Sequence, residues 1–239
     1  MKREGISLGW NCSAAQDALT MGLRNTKNNG YNTCPFDMMV TNYVGVCECI
    51  EDDFKYFCDP NYLELRPAPD MKNHIPNQKN GEMWVYNTYY NFVFNHESPY
   101  HGNLYLNEMW SSPNHFVENN FEKFIERYTN RINNFRNYLN TCDFIDFVLV
   151  RYNSIPVILS EILKRKYPDL KFKIHCVCDY TQNNIGHLYD TSKSGAINYE
   201  IHYLNYMNIT EETNQNELTR LKSDFNVKLG EINENIVMI

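Results

Sequence analysis

No stretch of the 239-residue sequence is apolar over the roughly 20 residues that a membrane helix needs, so no membrane span is expected. A secretory leader is also missing. Met1-Lys2-Arg3-Glu4-Gly5 runs straight into an apolar strand with no h-region. Positive charge is not in excess: the formal net charge is −7, which argues against a broad nucleic-acid surface. Phosphate-binding glycine loops and an H-E-x-x-H motif are absent, and with them two common readings of an enzyme sequence. C-x-x-C knuckles are lacking too. The eight cysteines include Cys47-Glu48-Cys49 and Cys176-Val177-Cys178, and C-x-C is not zinc-ribbon spacing. The second pair falls in a strand pattern, where i and i+2 share a face, so core packing is the better reading there. Neither a metal nor a cofactor is expected. Without a leader the cysteines read as reduced thiols in a cytosol-like compartment.

Apolar and aromatic residues are plentiful. The hydrophobic fraction is 43%, with 18 Tyr and 13 Phe, which is ample for a core. No linker and no internal repeat is visible, so residues 1–239 read as one domain. It carries an irregular, aromatic-rich insertion at about 59–115 and a polar tail from about 210. Pro60, Pro67, Pro69 and Pro76 punctuate the insertion, and Met83 to Phe94 reads as two strands or one broken strand. Tyr43 to Phe57 reads as a helix ending near Cys58-Asp59-Pro60. Phe116, Phe121, Phe124, Ile125, Tyr128, Ile132, Phe135 and Leu139 recur at helical spacing, which predicts a helix over 116–139. Residues 144–150, 156–167 and 171–178 then read as strand, helix and strand. These lengths make a Rossmann-like βαβ unit with a right-handed crossover. Ile197 to Leu204 alternates as a strand, and Glu217 to Phe225 reads as a helix. The fold expected is α/β: a central, mostly parallel sheet with flanking helices.

Open parallel sheets place ligands at their carboxyl edge. In a parallel sheet Arg151-Tyr152-Asn153 and Asp179-Tyr180 would lie there. Ile6 to Leu8 reads as another strand, broken by Gly9 and followed through Asn11-Cys12-Ser13 by a helix. Cys12 would then open onto the same edge, at a helix start whose N–H groups and dipole favour a thiolate. Two readings stand for it: a reactive thiol, or a small residue packed under a helix. His96 falls just past a strand, before a proline loop, which suits a side chain that enters a site. Asp37, in apolar company after Pro35-Phe36, reads as a helix cap or a functional carboxylate. A cysteine nucleophile needs a base and an orienter adjacent in space. Cys12, His96 and either Asp37 or Glu97 supply those types. His101 and His115, in loops, compete for the base role, while His175 lies in a strand pattern and reads as structural. Arg127 and Arg131 share one helix face; they form either a solvated basic edge or a clamp for a carboxylate or phosphate.

Ser7-Leu8-Gly9-Trp10-Asn11-Cys12, then Gly22-Leu23-Arg24 and Pro35-Phe36-Asp37, resemble a family labelled putative papain-like cysteine peptidase. It is a family of unknown function from bacteria and large DNA viruses. Its pattern continues with a strand leading to a His-Asp pair, an arginine-rich helix and a strand ending in F-V-R. Here Phe94-Asn95-His96-Glu97, Arg127 with Arg131, and Val150-Arg151 stand in those places, so the resemblance spans roughly residues 5–180. Met38 replaces the family's tryptophan, and Glu97 its aspartate. The resemblance implies Cys12 and His96 as a catalytic pair, and a papain-like α+β fold as the alternative to α/β. With no leader visible, the compartment expected is the cytoplasm, or host cytoplasm or virion for a viral chain. Family members also tend to accompany surface-glycan synthesis genes.

Three functions follow. The first is thiol-dependent hydrolysis or acyl transfer, with Cys12 attacking, His96 as base and Asp37 orienting. The second is a glycan-modifying enzyme, a glycosyltransferase or esterase, in which Arg127, Arg131 and Arg151 hold a phosphate or carboxylate; substrate-binding residues expected in general are Asn11, Glu97, Arg127, Arg131 and Arg151. The third is a binding module using the same groove. A peptide, acyl or glycan substrate is the partner expected; the sequence does not bear on oligomeric state.

Overall fold

A computed structural model describes residues 1–9, 11–68, 80–150, 156–178 and 199–203. Arg151, and the helix expected at Glu217 to Phe225, lie outside the described residues.

Four strands form the main sheet: β1 (Arg3–Ser7), β5 (Phe144–Val150), β6 (Phe172–Cys178) and β7 (Tyr199–Tyr203), in that spatial order. Every pairing is parallel, with Ser7 opposite Val148, Val150 opposite Val177, and Ile174 opposite Tyr199. Parallel pairing of β5 and β6 through α5 (Val157–Lys166) is the βαβ unit expected from the sequence. It decides for α/β over the papain-like α+β alternative.

Alternation along β5 sorts its side chains onto two faces. Ile145, Phe147 and Leu149 enter the large core with Phe172, Ile174 and Cys176 of β6. Val148 points the other way, onto Ala14 and Ala18 of α1 (Ser13–Thr20). The large core is aromatic. Phe36 has the rings of Phe54, Phe57, Phe92 and Phe135 around it, at centroid distances of 5.8 to 6.4 Å. Phe135 belongs to α4 (Glu118–Thr141), whose buried residues Phe124, Tyr128, Arg131, Ile132, Phe135, Tyr138 and Leu139 follow the predicted spacing. Asn119, Asn120 and Phe121 take positive φ, so regular helix begins at Glu122, well after Phe116, the first of the periodic residues.

Two expectations need revision. Helix α2 (Tyr43–Glu51) stops before Phe57. Asp53 and Phe54 turn to φ of 57° and 64°, which swings Phe54 and Phe57 into the core. The insertion is also more regular than its prolines suggest. Strand β2 (Leu63–Pro67) pairs antiparallel with β3 (Met83–Asn87), and β3 with β4 (Phe92–Val93). Pro67 is tolerated because it closes the strand. The small sheet meets the rest through Val40, which exchanges hydrogen bonds with Val93. It also meets α2 at Gly45, where an added Cβ would lie 2.3 Å from the Tyr90 carbonyl oxygen. A short helix, α3 (Leu104–Asn107), follows. No helix among the described residues is long and apolar enough to cross a membrane.

Candidate functional site

The site begins where β1 ends. Leu8 still donates its N–H to Val148, at 2.8 Å, and Gly9 then turns the chain with φ of 92°. An L side chain is strained at that angle, and a Cβ there would also lie 2.0 Å from Thr41 Oγ1. Asn11 next accepts the Ser13 N–H at 2.8 Å, and the Ser13 hydroxyl, on its Oδ1. This Asx-type turn spends one N–H of the helix start and presents Cys12 at the N-cap position of α1. Cys12 is exposed. Cys34, Cys47, Cys49 and Cys176 are buried, and Cys58 and Cys142 half-buried. Burial pushes the Cys34 and Cys49 thiols far above the ordinary range, and Cys58 up to about 12. Those side chains stay thiols and behave as core.

His96 sits in the tight turn Asn95–Glu97 that follows β4. It is half-buried, and that burial lowers its pKa from 6.5. Glu97 pulls the other way, while His101, Arg131 and Arg127 add to the lowering. The imidazole is therefore neutral near pH 7, which is the form a base needs. No hydrogen bond joins His96 to Cys12 or to any other described residue.

Neither expected orienter touches a histidine. Glu97 is buried and accepts from Arg127 Nη1 at 2.9 Å and from the Tyr128 hydroxyl at 2.8 Å, with Arg131 Nη1 at 3.2 Å. Arg127 and Arg131 do share a helix face and do clamp a carboxylate, and that carboxylate is the chain's own. Asp37 closes the turn Pro35–Met38. It accepts the Cys34 N–H at 2.8 Å, the Tyr31 hydroxyl at 2.9 Å and Arg24 Nη1 at 3.0 Å. Burial raises its pKa, and those donors together with the charge of Arg131 oppose the rise. Arg24, Asp37, Arg131, Glu97 and Arg127 thus form a row of alternating charge, nearly all of it buried. Every segment that carried the family resemblance through residue 131 contributes to this row or to Cys12 and His96.

Sequence reading had no signal for the partners. Tyr31 and Tyr128 hide among 18 tyrosines. Near His96, a carboxylate and an imidazole are joined at Glu82 and His101, whose Oε1 and Nδ1 are 2.8 Å apart. The two residues are 19 apart in sequence, and no short motif marks such a spacing. His175, expected to be structural, is buried in the main sheet and bonds Asp146 at 2.7 Å, with Arg3 on the same carboxylate. Among the described residues no three His, Cys, Asp or Glu side chains gather as metal ligands. Two cavities of about 330 and 340 Å³ are lined by neither Cys12 nor His96; the first lies at Arg3 and Gly22 to Asn25, the second between Asp53, Arg136 and Tyr167.

A family model described as "Putative papain-like cysteine peptidase" matches residues 3–183. Neither the curated proteins nor the solved structures give a match.

Proposed function

The chain belongs to that papain-like cysteine peptidase family, and on this premise we propose that it is a thiol-dependent hydrolase or acyltransferase. Cys12 is the nucleophile and His96 the base. The observation that carries this reading is the exposure of Cys12 at the helix start beside the carboxyl edge of a parallel sheet, while Cys34, Cys47, Cys49, Cys58, Cys142 and Cys176 are buried or half-buried. His96 takes the thiol proton. The thiolate attacks a carbonyl carbon to form a tetrahedral oxyanion, which N–H groups at the start of α1 stabilise. His96 then returns the proton to the leaving group. Water or an acceptor alcohol or amine releases the acyl group from sulfur. No His96–Cys12 hydrogen bond is present without substrate, and such bonds tighten on substrate binding. Asp37 and Glu97 act as positioning residues: Glu97, with Arg127 and Arg131, fixes the turn that carries His96, and Asp37, with Arg24, fixes the Pro35–Met38 turn, whose Phe36 carbonyl accepts from Ser7 at the end of β1.

Alkylation by iodoacetamide near neutral pH, mapped by peptide mass spectrometry, tests this. Cys12 should react at least tenfold faster than Cys58 or Cys142, and His96→Ala should remove most of that advantage. Equal rates at Cys12 and Cys58 would sink the reading. A glycan-modifying enzyme is the second reading, favoured by the open edge of an all-parallel sheet. Cys12→Ser separates the two: it abolishes thiol-dependent turnover of acyl esters and leaves glycan transfer intact.

A further inference from the structure

A catalytic imidazole is normally oriented by a carboxylate or amide, and His96 has neither. Glu97, its neighbour in sequence, is held by Arg127, Tyr128 and Arg131. The ring nearest to His96 is that of His101, 6.0 Å away between centroids and tilted by 59°. His101 is itself held at both nitrogens. Nδ1–H donates to the buried carboxylate of Glu82 at 2.8 Å, and Nε2 lies 3.4 Å from Asn95 Nδ2. Glu82 also accepts from Trp84 Nε1 at 3.3 Å.

We propose that Glu82 and His101 form a titrating pair that positions His96 and governs when it binds a proton. This rests on the thiol reading only insofar as His96 serves Cys12. Two features of the geometry support it. Glu82 fixes the His101 ring at Nδ1, and at this separation a charge on one ring opposes a charge on the other. Asn95 also suits both charge states. With Nε2 bare, Asn95 Nδ2–H donates to it, and Asn95 Oδ1 is then buried without a partner among the described residues. When Nε2 takes a proton, turning the amide over puts Oδ1 against the new N–H. The orphaned oxygen is thus the acceptor for the second state. Among the described residues the other charges facing His96 are Glu97, which raises its pKa, and Arg127 and Arg131 from α4, which lower it; of these residue types and His101, only histidine changes charge near neutral pH.

Nuclear magnetic resonance of the imidazoles in the full chain follows both titrations. In His101→Phe, which keeps a ring against His96, the His96 midpoint should rise by about half a pH unit or more, the shift that one charge at 6 Å produces even in water-like dielectric. Glu82→Gln should lower the His101 midpoint and raise that of His96. His101→Gln, which keeps the polar contacts, should act as His101→Phe does. An unmoved His96 midpoint in the folded variants overturns the proposal, and so does loss of fold in all three. If the midpoints move but alkylation of Cys12 ignores His96, the pair stands and the dyad falls.

Discussion

Glu97 holds two arginines and a tyrosine with one carboxylate, so its removal takes from the buried Arg131 guanidinium and Tyr128 hydroxyl the carboxylate they face. Glu97→Ala should cost about 3–5 kcal/mol in urea unfolding, the range for breaking one partner out of a buried pair. Arg136, tied to Asp53 at the surface, gives the contrast: Arg136→Ala should change stability by about 1 kcal/mol or less. His96 links stability to pH in a defined direction. Burial lowers its folded pKa below 6.5, so its contribution is complete above that value and is lost as pH falls through it toward the folded pKa. His96→Gln should flatten that limb, read from thermal melts between about pH 5 and 8. Asp146 acts lower down. Burial pushes its carboxyl up, but bonds from Arg3 and His175 outweigh this and hold it below the ordinary 3.8. Its contribution is present above 3.8 and lost as pH falls toward the folded value, and Asp146→Asn should remove that acid limb from a urea series.

Elements repeat in sequence what they do in space only where one face is buried. The βαβ unit from Phe144 to Cys178 was legible because two apolar runs flank a helix of fitting length. The spacing along α4 was legible for the same reason. Strand β2 was not: Leu63 is its one buried side chain, so its pattern resembles a loop. The end of α2 was missed because its apolar run continues past the point where Asp53 and Phe54 leave helical geometry. The placement of Cys12 at a helix start and of His96 just past a strand was legible. The pairing of Glu82 with His101, and of Glu97 with Arg127 and Arg131, was not, because both join segments through the fold. Packing of α2 on the small sheet is tight enough to test: Gly45→Ala forces a Cβ against the Tyr90 carbonyl and the Phe92 ring. We expect a loss of about 1–3 kcal/mol and a lower melting temperature, with the far-ultraviolet spectrum unchanged.

Across the molecule the aromatic core joins both sheets. Phe57 stacks near Phe36, Phe54, Tyr90, Phe92, Phe94 and Tyr128, which come from the turn before α2, the turn after it, the small sheet and α4. Phe57→Ala should therefore cost about 3–5 kcal/mol in chemical denaturation. Among the described strands β1 lies at the margin of the main sheet, with β5 as its sole neighbour. Its partner residues are about 140 positions away, Arg3 opposite Phe144 and Ser7 opposite Val148. A growing chain has already released Cys12, Asp37, His96, Arg127 and Arg131 before the residues that seat β1 exist. The thiol is thus among the first groups synthesised and among the last to be placed. A truncated product ending before residue 144 would carry Cys12 and His96 without the strand that seats β1.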